Sequence, residues 1–334
     1  MTSFNSETPK RLSEFAMIAK LFAPLAANAK GAYGLTDDAA TLRLGGDEEL
    51  VVTVDALVEG VHFLRDDPPD TIAKKALRVN LSDLAAKGAR PRGYLLALSL
   101  PDWIGDEWLA RFASGLGEDQ EKYTIDLLGG DTTSTPGPLT LSITALGAVP
   151  AGRMIRRSGA KPGDRVFVSG TIGDAGAGLA LLKGGGPQLS EQDGAYLIGR
   201  YRLPEPRLAL GLRLSGLASA AADVSDGLLA DLGHIAETSH VRIVVDAARI
   251  PLSPGMVSLW GHDRGAILRA ATAGDDYEIA FTAPEDSRPA IAKAAGEAGV
   301  AIHEIGRVED GEGVILLDEK GDPIPAIHPG FTHF

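Results

Sequence analysis

Cysteine is absent from the chain, which excludes disulfides, thiolate metal sites and cysteine nucleophiles. Positive charge is in deficit: 32 Lys and Arg stand against 45 Asp and Glu, a formal net charge of −13. Such a chain repels nucleic acid and anionic membranes, so neither is an expected partner. An anionic substrate would need metal ions, or locally placed Arg and Lys, to be held at all. No apolar run approaches the ~18 residues of a membrane span. The opening stretch, MTSFNSETPKRLSEF, lacks the apolar centre of a signal peptide, and a cytoplasmic protein is expected. Several catalytic signatures are missing too. There is no G-x-x-x-x-G-K-[ST] phosphate loop, no H-E-x-x-H among the seven histidines and no G-x-S-x-G elbow.

What is there suits a globular enzyme. Hydrophobic residues make up 44% and charged residues 23% of 334 residues, enough for two domains with real cores. Apolar residues recur at helical spacing from Arg11 to about Pro24, and Gly31–Ala40 reads as a loop with paired aspartates. Leu50–Val54 reads as a buried strand. Asp70 is the expected N-cap of a helix ending at Gly88, with Asp83 in its last turn. Strand Tyr94–Leu100, helix Trp103–Lys122, a short strand Thr124–Leu128 entering Gly129–Thr133, and strand Leu139–Val149 follow. The mixture lacks strict βαβ alternation, which predicts an α+β or layered α/β arrangement. Residues 150–163, PAGRMIRRSGAKPG, are basic and aperiodic, and mark the boundary between domains 1–150 and 151–334. The second half reads as a mixed α/β domain, opening with strand Arg165–Ser169 and a glycine-rich turn before helix Leu179–Lys183.

The residues that can carry chemistry are mostly acidic. Asp37–Asp38, Asp55, Asp83, Asp131, Asp223 with Asp226, and Asp275–Asp276 are the acidic stations, most of them at a strand end or beside glycine. There a side chain is exposed and the backbone can approach a ligand closely. Hard oxygen donors in this number suit Mg²⁺ bridging to phosphates, whereas single aspartates of this kind commonly just cap helices. His62, beside the Asp55 station, is a ligand contact or a capping histidine. Arg156–Arg157 offers a planar fork for phosphate or a solvated linker. Gly173–Gly178, GDAGAG, lies between a strand and a helix as a dinucleotide loop does, but its spacing is G-x-x-G-x-G. An NAD-dependent oxidoreductase resting on that loop is one alternative; helix–strand packing is the other reading of the glycines.

In order, the stations spell TDDAA (36–40), TVDALVEGVHF (53–63), KALRVNLSDLAAKGARP (75–91), GGDTT (129–133), RSGAKPGD (157–164), DVSDGLLADLGHI (223–235), GDDYEI (274–279) and GFTHF (330–334). The series resembles the thiamine-monophosphate kinase family, in the superfamily of aminoimidazole ribonucleotide synthetase and selenophosphate synthetase. NLSDLAAKGA followed by GGDTT carries the superfamily likeness, and EGVHF with the terminal G-F-x-H-F the kinase branch. The resemblance implies a two-domain fold whose N-terminal mixed sheet pairs in a homodimer, with a C-terminal α/β domain covering the site. It implies ATP-dependent phosphorylation of thiamine monophosphate to thiamine diphosphate with several Mg²⁺ ions. By matching position, Asp38, Thr53, Asp55, Asp83, Asp131, Asp223 and Asp226 would hold Mg²⁺. Asp38, Gly130, Asp131, Arg157 and Ser225 would contact ATP, and His62, Asp275 and Phe331 the thiamine part. Thr36, Asp275 and Thr332 stand where the family usually has Gly, Glu and Asp. A phosphate acceptor is already largely ionised near neutral pH, so no general base is expected. A superfamily enzyme with another acceptor and a non-catalytic nucleotide-binding protein are the remaining alternatives. A selenophosphate synthetase would carry Cys or selenocysteine near its N-terminus.

Overall fold

The computed structural model describes residues 12–36, 39–326 and 328–331. These fall into two compact units. One takes the described residues up to Asn80 together with Pro91–Ala148; the other takes Leu81–Arg90 and the described residues from Val149 onward.

The first unit opens with α1 (Glu14–Met17), a π-helical turn at Ile18–Phe22, and 3₁₀ turns at Ala23–Ala26 and Lys30–Leu35. The single helix expected here is broken because Pro24 has no N–H and its ring crowds the carbonyl four residues back. Then come β1 (Glu48–Val58), α2 (Pro69–Ala86), β2 (Arg90–Leu100), α3 (Asp106–Tyr123), β3 (Leu127–Ser134) and β4 (Thr140–Pro150). The four strands lie in the order β1-β4-β2-β3, with β2 and β3 parallel. One face is apolar and closed: Val51, Leu57, Leu96, Leu98, Leu141 and Ile143 are all buried. The alternate residues of β1 are bare, with Leu50, Val52 and Val54 exposed by 44%, 56% and 61%. Leu50–Val54 is therefore an edge strand with one bare face, not the buried strand expected from its apolar run. α2 and α3 pack closely enough that a Cβ on Gly115 would lie 2.5 Å from the Asp70 carbonyl oxygen. A buried two-pronged ion pair, Arg78 to Asp119 at 2.7 and 2.8 Å, joins them. Asp70 lies inside the first turn of α2 rather than capping it, since the helix starts at Pro69.

The second unit contains β5 (Arg165–Ser169), α4 (Asp174–Leu182), α5 (Glu191–Arg202), α6 (Leu208–Leu214), β6 (Ala220–Asp223), α7 (Leu228–Ser239), β7 (Arg242–Asp246), α8 (Pro254–Trp260), α9 (Arg264–Ala271), β8 (Ile279–Ala283), α10 (Arg288–Ala298), β9 (Ile302–Glu309), β10 (Gly313–Leu317) and β11 (Pro323–Ile324). Its seven strands run β11-β10-β7-β9-β5-β8-β6, antiparallel except where β10 meets β7. Both faces are covered. Val166, Val168, Ala220 and Ala222 pack with Leu228, Leu232 and Ile235 of α7, while Phe167, Ala221 and Phe281 pack with Leu210 and Leu214 of α6 and Ile291 of α10. Two buried faces explain why these strands read as unbroken apolar runs rather than alternating ones. The last turn of α2 docks in the same unit: a Cβ on Gly211 would meet the Ala85 carbonyl oxygen at 1.9 Å.

Candidate active site

In the first unit Thr53 and Asp55 lie on β1, half-buried. The GGDTT motif is not a loop after a strand, as its glycines suggested, but lies within β3. Leu96 registers with Gly130 and Ala97 with Asp131. A Cβ at Gly130 would lie 1.9 Å from the Leu96 carbonyl oxygen, so strand contact alone demands glycine there. Asp131 is exposed, accepts the Thr132 N–H at 2.9 Å, and lines a cavity of about 640 Å³ with Gly130, Thr132, Ala39 and Ala40. Asp37 and Asp38 lie outside the described residues.

His62 closes a turn at the end of β1. Its Nδ1 accepts the Val58 N–H at 3.0 Å, and its carbonyl accepts from Lys75 Nζ at 2.9 Å. With Nδ1 accepting, the neutral ring carries its proton on Nε2.

In the second unit the stations converge. Asp83, in the last turn of α2, and Asp223, at the end of β6 and 4% exposed, both act on the ammonium of Lys87. Lys87 donates to the Ala221 carbonyl at 2.9 Å. Burial pushes its pKa down; Asp223 opposes that, Arg157 adds to it and Asp83 again opposes it. In the sequence this lysine stands inside KALRVNLSDLAAKGARP with no signal of its own.

Beyond β6 the chain turns through Ser225 and Asp226 into α7. Asp231, on the first turn of α7, gathers the N–H groups of Ser225, Asp226 and Gly227 on its Oδ2 at 3.0, 3.1 and 3.2 Å. Burial above all, and then the neighbouring Asp226 charge, push the Asp231 pKa up to about 7, against the N–H bonds and Arg157. The loop carrying Asp275 runs alongside: its N–H bonds the Ser225 carbonyl at 2.8 Å, and that of Tyr277 bonds the Val224 carbonyl at 2.8 Å. Asp275 and Tyr277 both take left-handed backbone angles, φ +71° and +51°, conformations that cost a non-glycine residue energy and persist only where neighbours impose them. Here the clamp is Glu278, fully buried, which accepts from Ser169, Arg200 and Arg207. Phe331 is placed by its N–H on the Asp226 carbonyl at 2.9 Å, and is 48% exposed. Asp226, His234, Gly330 and Phe331 share the wall of a cavity of about 910 Å³.

The glycine-rich stretch 173–178 is not a dinucleotide loop. The N–H groups of Gly173 and Ala175, which a phosphate would need, bond the buried carboxylate of Asp276 at 2.6 and 3.2 Å. Burial raises the pKa of Asp276 well above the usual carboxylate range, against those hydrogen bonds. Gly173 would carry a Cβ 2.6 Å from that of Ala270, and Gly178 one 2.1 Å from the Leu197 carbonyl oxygen. These glycines serve packing, and the oxidoreductase alternative loses its only support.

The second unit therefore assembles Asp83, Arg157, Asp223, Ser225, Asp226, Asp275 and Phe331 around one loop system, and adds Lys87 and Asp231. Thr53 and Asp55 on β1, His62 in the turn after it, and Gly130 and Asp131 on β3 stand in the first unit. Such a donor set, carboxylates with hydroxyls and no thiolate, fits Mg²⁺.

Two family models match this chain: the N-terminal domain of AIR synthase related proteins over residues 36–149, and their C-terminal domain over residues 161–319. The chain belongs to the AIR synthase related proteins. It is 46% identical to the thiamine-monophosphate kinase of Caulobacter vibrioides over 94% of this chain and 89% of that one. The solved thiamine-monophosphate kinase of Stenotrophomonas maltophilia superposes with a TM-score of 0.83 at 44% identity, covering 94% and 98% of the two chains. AaThiL complexed with AMPPCP and TMP gives 0.76 at 33% identity, covering 98% and 100%. Within the family, the chain falls in the thiamine-monophosphate kinase branch.

Proposed function

We propose that this protein transfers the γ-phosphoryl group of ATP to thiamine monophosphate, giving thiamine diphosphate, by direct in-line displacement. The observation that carries this reading is the likeness, over nearly the whole chain, to thiamine-monophosphate kinases, one of them solved with AMPPCP and TMP. Phosphoryl transfer between two anionic groups needs alignment and charge neutralisation more than covalent help. Mg²⁺ would supply the neutralisation, held by Thr53, Asp55 and Asp131 in one unit and by Asp83, Asp223 and Asp226 in the other. Asp38 belongs to the same proposed set. Arg157 would fork onto ATP phosphate, with Gly130 and Ser225 offering backbone and hydroxyl contacts. Asp275 and Phe331 are assigned to the thiamine part, the carboxylate facing its cationic ring. His62, committed through Nδ1 to its own turn, would contribute through its other edge.

A homodimer belongs to the same proposal. Its support is the stripe Leu50, Val52 and Val54, an apolar face on an edge strand of a kind that is normally covered. The strand order also sets β1 and β3, the carriers of Asp55 and Asp131, at opposite edges. Three interstrand intervals, roughly 14 Å, lie between those edges. No helix among the described residues is long and apolar enough to cross a membrane, and we place the reaction in the cytoplasm, where both substrates are anionic solutes.

The deciding experiment is product formation from ATP and thiamine monophosphate with and without Mg²⁺. Mg²⁺-dependent thiamine diphosphate, largely lost in Asp83→Asn and Asp131→Asn proteins that remain folded, is the expected result. ATP binding with thiamine monophosphate untouched would refute the acceptor. A phosphorylated protein trapped during turnover would refute direct transfer.

A further inference from the structure

Asp231 is 1% exposed, and its two oxygens are treated very differently. Oδ2 takes three backbone N–H groups, while Oδ1 is buried with no hydrogen-bond partner. A buried carboxylate oxygen without a donor is costly unless something positive answers it. His234 follows three residues along α7, on the same helix face. Asp226 sits in the turn just before that helix. Each of the three side chains offers a ligand atom, and these atoms lie within 4.8 Å of one another. Asp226 and His234 also line the 910 Å³ cavity, so an ion between the three would have an open side.

We propose that Asp226, Asp231 and His234 form a site for a first-row transition-metal dication, with Zn²⁺ as its representative. The donor set decides the class. One imidazole nitrogen with two carboxylate oxygens suits Zn²⁺ and its neighbours, whereas Mg²⁺ prefers oxygen alone. Ligand atoms around tetrahedral Zn²⁺ stand roughly 3.3 Å apart, so the half-exposed His234 and Asp226 would close inward by about 1.5 Å. The ion would answer Asp231 Oδ1 while Oδ2 keeps its three N–H bonds. The binding itself does not depend on the kinase reading. One consequence does: Asp226 is in both ligand sets, so a transition metal held here withdraws it from Mg²⁺ and slows the kinase.

The test is direct binding by full-length, chelator-stripped protein without ATP. Zn²⁺ is titrated against a chromophoric chelator, and Co²⁺ serves as the spectroscopic substitute. One tight equivalent is expected, weakened at least about 10-fold by His234→Gln, since loss of a direct ligand should exceed the usual cost of an outer-shell change. The Co²⁺ visible bands should change in that variant and stay unchanged in His262→Gln, an exposed histidine outside the cluster. Binding that His234→Gln leaves intact, or wild-type binding no tighter than that variant's, overturns the site. Asp231→Asn is measured second, with circular dichroism to establish its fold; Zn²⁺ affinity equal to wild type in a folded Asp231→Asn protein also overturns it. Kinase activity is assayed separately in Mg²⁺ alone, so failure of one reading leaves the other standing.

Discussion

Three N–H groups converge on one oxygen of Asp231, and this single carboxylate shapes the turn that carries Ser225 and Asp226. Its pKa stands at about 7, raised first by burial and next by Asp226. A raised carboxyl pKa means the folded state holds a proton that the unfolded chain has released. Stability is therefore complete below the ordinary value of 3.8, falls as pH rises toward about 7, and is level above that. In chelator, denaturant unfolding should show that decline, by more than the ~1.4 kcal/mol of a single pK unit. Asp231→Asn, which cannot ionise, should flatten it; an equally steep profile in the variant would refute the assignment. None of this was legible in the sequence. Asp231 reads as an ordinary helix residue, and its partners are backbone groups that only the closed turn supplies. Lys87 and Glu278 escaped for a related reason, since their partners lie about 70–135 residues away along the chain, and Asp276 reads as an open acidic station because its partners, Gly173 and Ala175, are equally remote. Asp83, Asp223 and Asp226 were readable as candidates, Asp223 by its strand end, Asp226 by the glycine after it and Asp83 by motif order.

At the scale of elements, legibility followed the period of the apolar pattern. α2, α3, β4 and β5 were read nearly in place, each having a strong period or an unbroken apolar run. α5 was missed because Gly194, Gly199 and many polar residues blur its stripe. α8, seven residues long, carried only a Ser-Pro start as its signal, with Ser253 capping the Met256 N–H. β3 was cut short because Gly129 and Gly130 look like a turn, although close strand contact requires the second of them. The pairing of α2 with α3 rests on Arg78 and Asp119, which are 6% and 1% exposed. Removing one partner strands a buried charge, and that is much worse than replacing both. Asp119→Ala should cost about 3–5 kcal/mol in denaturant unfolding. The double change Arg78→Met with Asp119→Leu should recover much of it. If the single variant unfolds within ~1 kcal/mol of wild type, the pair is not what fastens these helices.

For the whole molecule, the sharpest mismatch between pattern and structure is β1. Its run LVVTV has the composition of a strand covered on both sides, yet in one chain half of it faces outward as Leu50, Val52 and Val54. A net charge of −13 helps keep such a protein in solution, but charge does not remove the cost of leaving this stripe wet. A second copy laid against the same face would cover it, and an isologous contact repeats each favourable burial on both sides. Charge placed there should act in the opposite sense. Val52→Asp adds a carboxylate beside its symmetry mate, while the buried face of β1, with Val51 and Leu57, is untouched. The variant should therefore fold, run as a monomer by light scattering, and lose at least about tenfold in thiamine diphosphate formation, because ligands at opposite edges of one sheet no longer have a partner sheet beside them. A conservative control, Val52→Thr, should stay dimeric and active. Wild-type protein that is already monomeric and fully active would end the dimer proposal. So would a Val52→Asp monomer with undiminished turnover, which would mean that each chain completes its site alone.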